Sequence, residues 1–239
     1  MGSLEAGTTF SPSMNYLIHT ASLAACDAAT LSLVLPDIIH ENQGAFIKGR
    51  SILENVLMCQ DIVKMYRRAN ASPKCLFKID LQKIMTCIKT TSFTLTLNGN
   101  HVDYFKGKRD LRQGDHIYPL IFTVCMEYLT RTIKYATEKW EFQYHPLCKE
   151  LKLTHLRCAD DLLMFCKGTT QSVMLITRAF FTFFKTSGLS MSNNKSEVFF
   201  SGMAATLKED IKLVTGFGEG EMTFMYLGFP IQPGRITKQ

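Results

Sequence analysis

LKLTHLRCADDLLMF, residues 151–165, is the stretch from which the rest of this chain is read. Leu151 to Leu156 is strand-like, and Leu162-Leu163-Met164-Phe165 is a second apolar run. Asp160 and Asp161 fall between them, at the tip of a predicted hairpin. Two adjacent carboxylates repel each other, are desolvated by apolar flanks and need cations to remain ionised. An Asp-Asp pair in a turn is, by itself, more often a solvated turn former. Its chemistry therefore depends on what the chain brings beside it.

Upstream, CLFKIDL (75–81) is a short apolar run that stops at Asp80, as a buried strand ending at a site would. A third carboxylate at a strand end could join the first two. Oxygen-rich carboxylate sites select Mg²⁺ or Mn²⁺. Two such ions about 3.5–4 Å apart stabilise both the attacking and the leaving oxygen of a phosphoryl transfer.

Around these runs the spacing predicts a mixed pattern. Ordered structure is expected to begin near Leu31–Leu35 and to end at Pro36, after a poorly ordered lead-in over 1–30. A basic loop at 43–50 (QGAFIKGR) precedes a capping box, Ser51 to Glu54, and a helix over 52–69. Strands at 93–97 and 102–105 flank Asn98-Gly99, a strong hairpin signal, and the loop 107–115 follows. Pro119 opens a helix to about Lys139, and another runs over 170–187, closed by Gly188. Strands follow at 198–200 and 224–228. Strands and helices mix without strict alternation, which predicts an α+β fold with a mainly antiparallel sheet.

The 239 residues are 46% hydrophobic and 20% charged, which excludes a disordered tail, a collagen-like chain and a coiled coil. A net charge of +6 favours an anionic partner weakly and falls short of a polybasic arm. None of the eight cysteines forms a C-x-x-C pair, so buried, reduced thiols of an intracellular protein are expected. The first residues carry no secretory signal, and no apolar stretch is long enough to span a bilayer. The expected location is nucleus or cytoplasm, with no membrane partner.

The order of several segments adds a resemblance. FKID (77–80), RDLRQGDHIYPLIF (109–122), CADD (158–161), FFKTSGLSMSNNKSEVFFSG (183–202) and YLGFPIQPGR (226–235) resemble, in order, the palm blocks of a reverse transcriptase. LPDIIHENQGAFIKGRSILENV (35–56) resembles the fingers blocks before them. The chain is most similar to the reverse transcriptase domain of non-LTR, LINE-type retrotransposons, in their plant-like group. The resemblance implies a polymerase palm over 75–225, partial fingers over 31–74 and the start of a thumb connection over 226–239. It implies an RNA template, a DNA primer and a deoxynucleoside triphosphate as partners, and Mg²⁺ or Mn²⁺ as cofactor. Asp80 and Asp160 would be metal ligands, with Asp161 beside them. Gln113 and Gly114 would lie near nucleotide and template, and Lys195 would protonate the pyrophosphate leaving group. Lys48 and Arg50 would face phosphates.

The chain departs from the family pattern in several places. Lys83 runs directly into Ile84-Met85-Thr86-Cys87, where family members continue into a second Asp and an amphipathic helix. The separation of Asp80 from Gln113 is correspondingly short. Cys158 stands for an aromatic, Asp110 for Gly, His116 for Pro and Tyr118 for Ser. These changes imply a truncated and internally deleted domain with little or no activity.

Overall fold

The computed structural model describes residues 28–67, 72–82, 92–97, 100–106, 117–139, 141–187 and 189–234. In chain order, α1 (Ala28–Ile38) and α2 (Ile52–Val63) precede β1 (Lys74–Gln82), and β2 (Ser92–Leu97) and β3 (Asn100–Lys106) pair as a separate hairpin. The long helix α3 (Ile117–Lys139) leads to β4 (His155–Cys158), β5 (Asp161–Lys167) and α4 (Thr170–Ser187). Then come β6 (Ser190–Met191), β7 (Glu197–Ser201), α5 (Ala205–Thr215), β8 (Gly218–Glu219), β9 (Phe224–Tyr226) and β10 (Phe229–Ile231).

β1 is central in a six-stranded sheet ordered β4-β5-β1-β7-β8, with β6 pairing to the end of β1. All these pairs are antiparallel except β7–β8. The mainly antiparallel α+β sheet packed on helices is as expected. Strand alternation gives the sheet two faces. Cys75, Phe77, Ile79 and Leu81 pack with Phe122, Met126, Leu129 and Ile133 of α3 and with Val173, Ile176, Phe180 and Phe183 of α4. The spacing on both helices is three or four residues, so one stripe of each meets the sheet. Phe183 is fully buried, and such a side chain contributes about 1.5–3 kcal/mol. The other face carries Leu76, Leu163, Phe165 and Phe199 against Val56, Cys59, Ile62 and Val63 of α2 and against Phe224 and Tyr226 of β9.

Several elements differ from the sequence expectations. Pro36 does not end α1 but lies inside it. Leu35 and Ile39 flank it one turn apart and are buried with Leu120 and Val124 of α3, which offsets the missing backbone donor. The capping box does not form, because Ser51 makes no side-chain cap bond, and α2 ends at Val63 rather than 69. The chain turns there so that Tyr66 can bury its ring against His145. The strand expected at 151–156 is displaced to 155–158, since its register is taken from β5, with His155 opposite Met164. Leu151 is exposed in the preceding turn. The stretch 224–228 is half of a hairpin. Leu227 and Gly228 have φ of 52° and 81° between Tyr226 and Phe229, the pattern of a type I′ turn. α5 is absent from the sequence expectations, although Leu207, Ile211 and Val214 keep helical spacing and Gly216, at φ 71°, caps its end. The lead-in through residue 27, the Asn98-Gly99 turn, the segment after Lys83, the 107–115 loop, Gly188 and residues 235–239 lie outside the described residues.

Candidate active site

β1 and β5 place Asp80 directly opposite Asp161, the last pair of a ladder that begins at Lys74 and Lys167. Opposed residues in an antiparallel pair project from the same face, with Cβ atoms about 4.5–5.5 Å apart. Cys158 pairs with Asp161 across the hairpin, so Ala159 and Asp160 form its two-residue loop. Asp80 is exposed, and Asp160 and Asp161 are half-buried. Desolvation raises the Asp161 carboxyl above the usual carboxylate range; Asp160 raises it further, Lys78 lowers it and Asp80 raises it. Like charges set opposite each other are destabilising, so the crowding favours a bound cation. The donors are hard oxygens, which fit Mg²⁺ or Mn²⁺. Among the described residues, no group of three or more His, Cys, Asp or Glu side chains is arranged to hold a metal ion. The backbone thus gathers the three acids at one sheet end without closing their side chains into a ligand set.

The loop carrying Asp160 is strained. Ala159 has φ 54°, a left-handed value that favours glycine. Non-glycine residues in that region cost of order 1–3 kcal/mol and cluster at functional sites. Ala159→Gly is therefore expected to raise stability by about 0.5–1 kcal/mol, the relief being partly offset by a more flexible unfolded chain. Urea unfolding of the two proteins checks this, and a loss of stability in the glycine variant contradicts it.

The other expected site residues divide. Lys195 is exposed in the turn 192–196, and that turn is anchored on the main chain of Asp80. Asp80 N–H donates to Ser196 Oγ at 3.2 Å, and Ser192 N–H donates to Asp80 C=O at 3.0 Å. Lys48 is exposed on the 43–50 loop. Arg50 points back into the protein. Its Nη1 donates to the His40 and Gln43 carbonyls at 2.6 and 3.0 Å, and its Nη2 to the Ile39 carbonyl at 2.6 Å. The guanidinium thereby closes the C-terminal end of α1. Gln113 and Gly114 lie outside the described residues.

Sequence reasoning missed three neighbours of the acids. Lys78 precedes Asp80 by two residues on the same face of β1, a signal that strand alternation carried openly. Ser196 reaches Asp80 across 116 residues, which no local pattern reveals. Tyr226 is buried beside them, and burial raises its pKa, with Cys59, Cys158 and Asp161 adding to the rise and the Asn55 side chain opposing it.

Comparison with known families gives one further finding. A family model described as reverse transcriptase (RNA-dependent DNA polymerase) matches residues 19–231. The match spans about nine-tenths of the chain and includes every element from α1 to β10.

Proposed function

The chain belongs to the reverse transcriptase (RNA-dependent DNA polymerase) family, and from that premise we propose that it derives from a non-LTR, LINE-type retrotransposon of the plant-like group, internally deleted after Lys83. Asp80, Asp160 and Asp161 would hold the divalent ions, which when bound would lower the pKa of a primer 3′-hydroxyl and neutralise the triphosphate. The observation that carries this reading is the register pair Asp80–Asp161 with Asp160 in the adjoining two-residue loop. Lys195, presented on a turn tied to Asp80, would donate a proton to the leaving pyrophosphate. Lys48 would meet a phosphate of template or nucleotide, while Arg50 holds the loop that presents it. Gln113 and Gly114 would line the nucleotide and template. The partners are an RNA template, a DNA primer and a deoxynucleoside triphosphate, inside the nucleus or cytoplasm. In this reading residues 31–74 are partial fingers, 75–225 the palm and 226–239 the start of the thumb connection.

Turnover is expected to be weak, because a displacement of about 1 Å at the reacting atoms costs roughly a hundredfold. Primer extension on an RNA template with Mn²⁺ or Mg²⁺ tests the reading. Extension by the wild-type chain that disappears in Asp160→Asn supports it. Folded protein that extends nothing with either metal sinks it. The net charge of +6 then leaves a nucleic-acid-binding remnant, whose affinity would fall steeply with salt whatever the sequence bound.

A further inference from the structure

The strand that leads into the acid hairpin is held from the fingers side. β4 has four residues and forms the edge of the sheet, so its outer backbone groups lack a neighbouring strand. The segment Asn42–Gly44 fills that place. Arg157 N–H donates to the Asn42 carbonyl at 2.9 Å, and Gly44 N–H donates to the Arg157 carbonyl at 2.9 Å. Gln43 and Arg157 form a parallel bridge between these two bonds. A third bond comes from α2, where Asn55 Nδ2 donates to the same Arg157 carbonyl at 2.9 Å. Asn55 and Gly44 are both buried, so these bonds are shielded from competing water. They converge on one residue, three positions before Asp160.

Gly44 and Asn55 are also matched in shape. A Cβ on Gly44 would lie 2.7 Å from Asn55 Nδ2, so a side chain there must tip the amide away from the carbonyl it serves. Three polar bonds on a single residue of an edge strand exceed what pairing with β5 alone requires. Removing them would leave Arg157 and Cys158 anchored through β5 alone, on the strand that leads directly into Asp160.

Resting on the reading of the acids as a divalent-cation site, we propose that Asn55 and Gly44 are positioning residues: through the Arg157 main chain they fix the hairpin that carries Asp160 and Asp161, and so set its affinity for the metal. A group that orients ligands from outside the coordination sphere typically tunes affinity by 10–100-fold. The placement also links the loop that presents Lys48 to the acids through continuous hydrogen bonds, since Arg50 of that loop donates to the Gln43 carbonyl.

The test uses the whole chain and Mn²⁺ alone, with two variants that disrupt the clamp from opposite sides. Asn55→Asp keeps the shape but removes the donor at neutral pH, and Gly44→Ala displaces the amide. Hydrogen exchange is followed at 157–162 and, as an internal reference, in α4; Mn²⁺ binding is followed by electron paramagnetic resonance. The expected result is exchange about tenfold faster at 157–162 with α4 unchanged, and Mn²⁺ affinity about tenfold weaker in both variants. Wild-type protein that binds Mn²⁺ through Asp80 and Asp160, as shown by loss in their Asn variants, with affinity unchanged in the clamp variants, overturns the proposal alone. Unchanged exchange at 157–162 also overturns it. Wild-type protein that binds no Mn²⁺ defeats the metal-site reading itself and the proposal with it.

Discussion

Replacing Arg157 with methionine raises stability by about 1–3 kcal/mol, whereas Glu127→Leu lowers it by about 3–5 kcal/mol. Both residues are buried between β4 and α3, yet they are unequally satisfied. Arg157 is 0% exposed, and its Nε, Nη1 and Nη2 have no hydrogen-bond partner. Its closest opposite charge is Glu127 Oε2, 3.8 Å from Nη2, beyond hydrogen-bonding range. Desolvation brings the guanidinium pKa down to about 10, against the attraction of Glu127. Glu127 has other partners: Arg131 Nε donates to Oε1 at 3.1 Å, and the His40 N–H donates to Oε2 at 3.0 Å. Removing Arg157 thus leaves Glu127 paired, and methionine fills much of the vacated space with a flexible apolar chain. Removing Glu127 leaves a buried cation with no counter-charge beside it and leaves the His40 N–H without its acceptor. Urea midpoints at a constant m-value decide the matter. A methionine variant that loses several kcal/mol would show that Arg157 is satisfied after all.

That asymmetry illustrates what the sequence could and could not disclose. The acids were legible because strand alternation and run length are local. A run that stops at Asp80 and another that starts after Asp161 place the carboxylates at one end of two strands, and the ladder from Lys74–Lys167 to Asp80–Asp161 realises that. The helices α3 and α4 were legible from their stripes. The contacts that hold the site were not. Asn55 meets Arg157 across 102 residues, and Ser196 meets Asp80 across 116. Arg50 read as a surface cation because a basic residue next to glycine ordinarily is one, yet its fork is spent on the Ile39 and His40 carbonyls just past α1. Arg157 sits in a strand too short to carry a pattern, and only the fold shows that its side chain faces Glu127 rather than water. Pro36 shows the same limit from the other side: a local breaker yields when Leu35 and Ile39 have a surface to bury against.

The chain should also lose about 3 kcal/mol of stability as pH falls from about 6.5 to about 4, through His145. The ring is fully buried, stacked on Tyr66 at 5.8 Å and edge-on to Phe165 at 6.2 Å. Its Nδ1 accepts from the Leu147 N–H at 3.3 Å, and its Nε2 has no partner. Burial, with Lys74 adding repulsion, lowers its pKa from 6.5 to about 4. A depressed histidine stabilises the fold while both states are neutral, which holds above 6.5. Below 6.5 the unfolded chain takes up the proton first, and the contribution is lost until the folded ring is protonated near 4. His155 acts in the same direction, because burial, Arg157 and His40 lower its pKa as well, and Asn42, Thr130 and Thr154 all contact its ring nitrogens. Asp161 opposes them: its pKa is raised in the fold, so its contribution grows as pH falls. His145→Phe keeps the stacking surface and removes the titration. Its stability should change much less than the wild type's between pH 6.5 and 4, measured as the urea midpoint at each pH. Parallel curves for the two proteins would assign the acid sensitivity to His155 or to groups elsewhere in the chain.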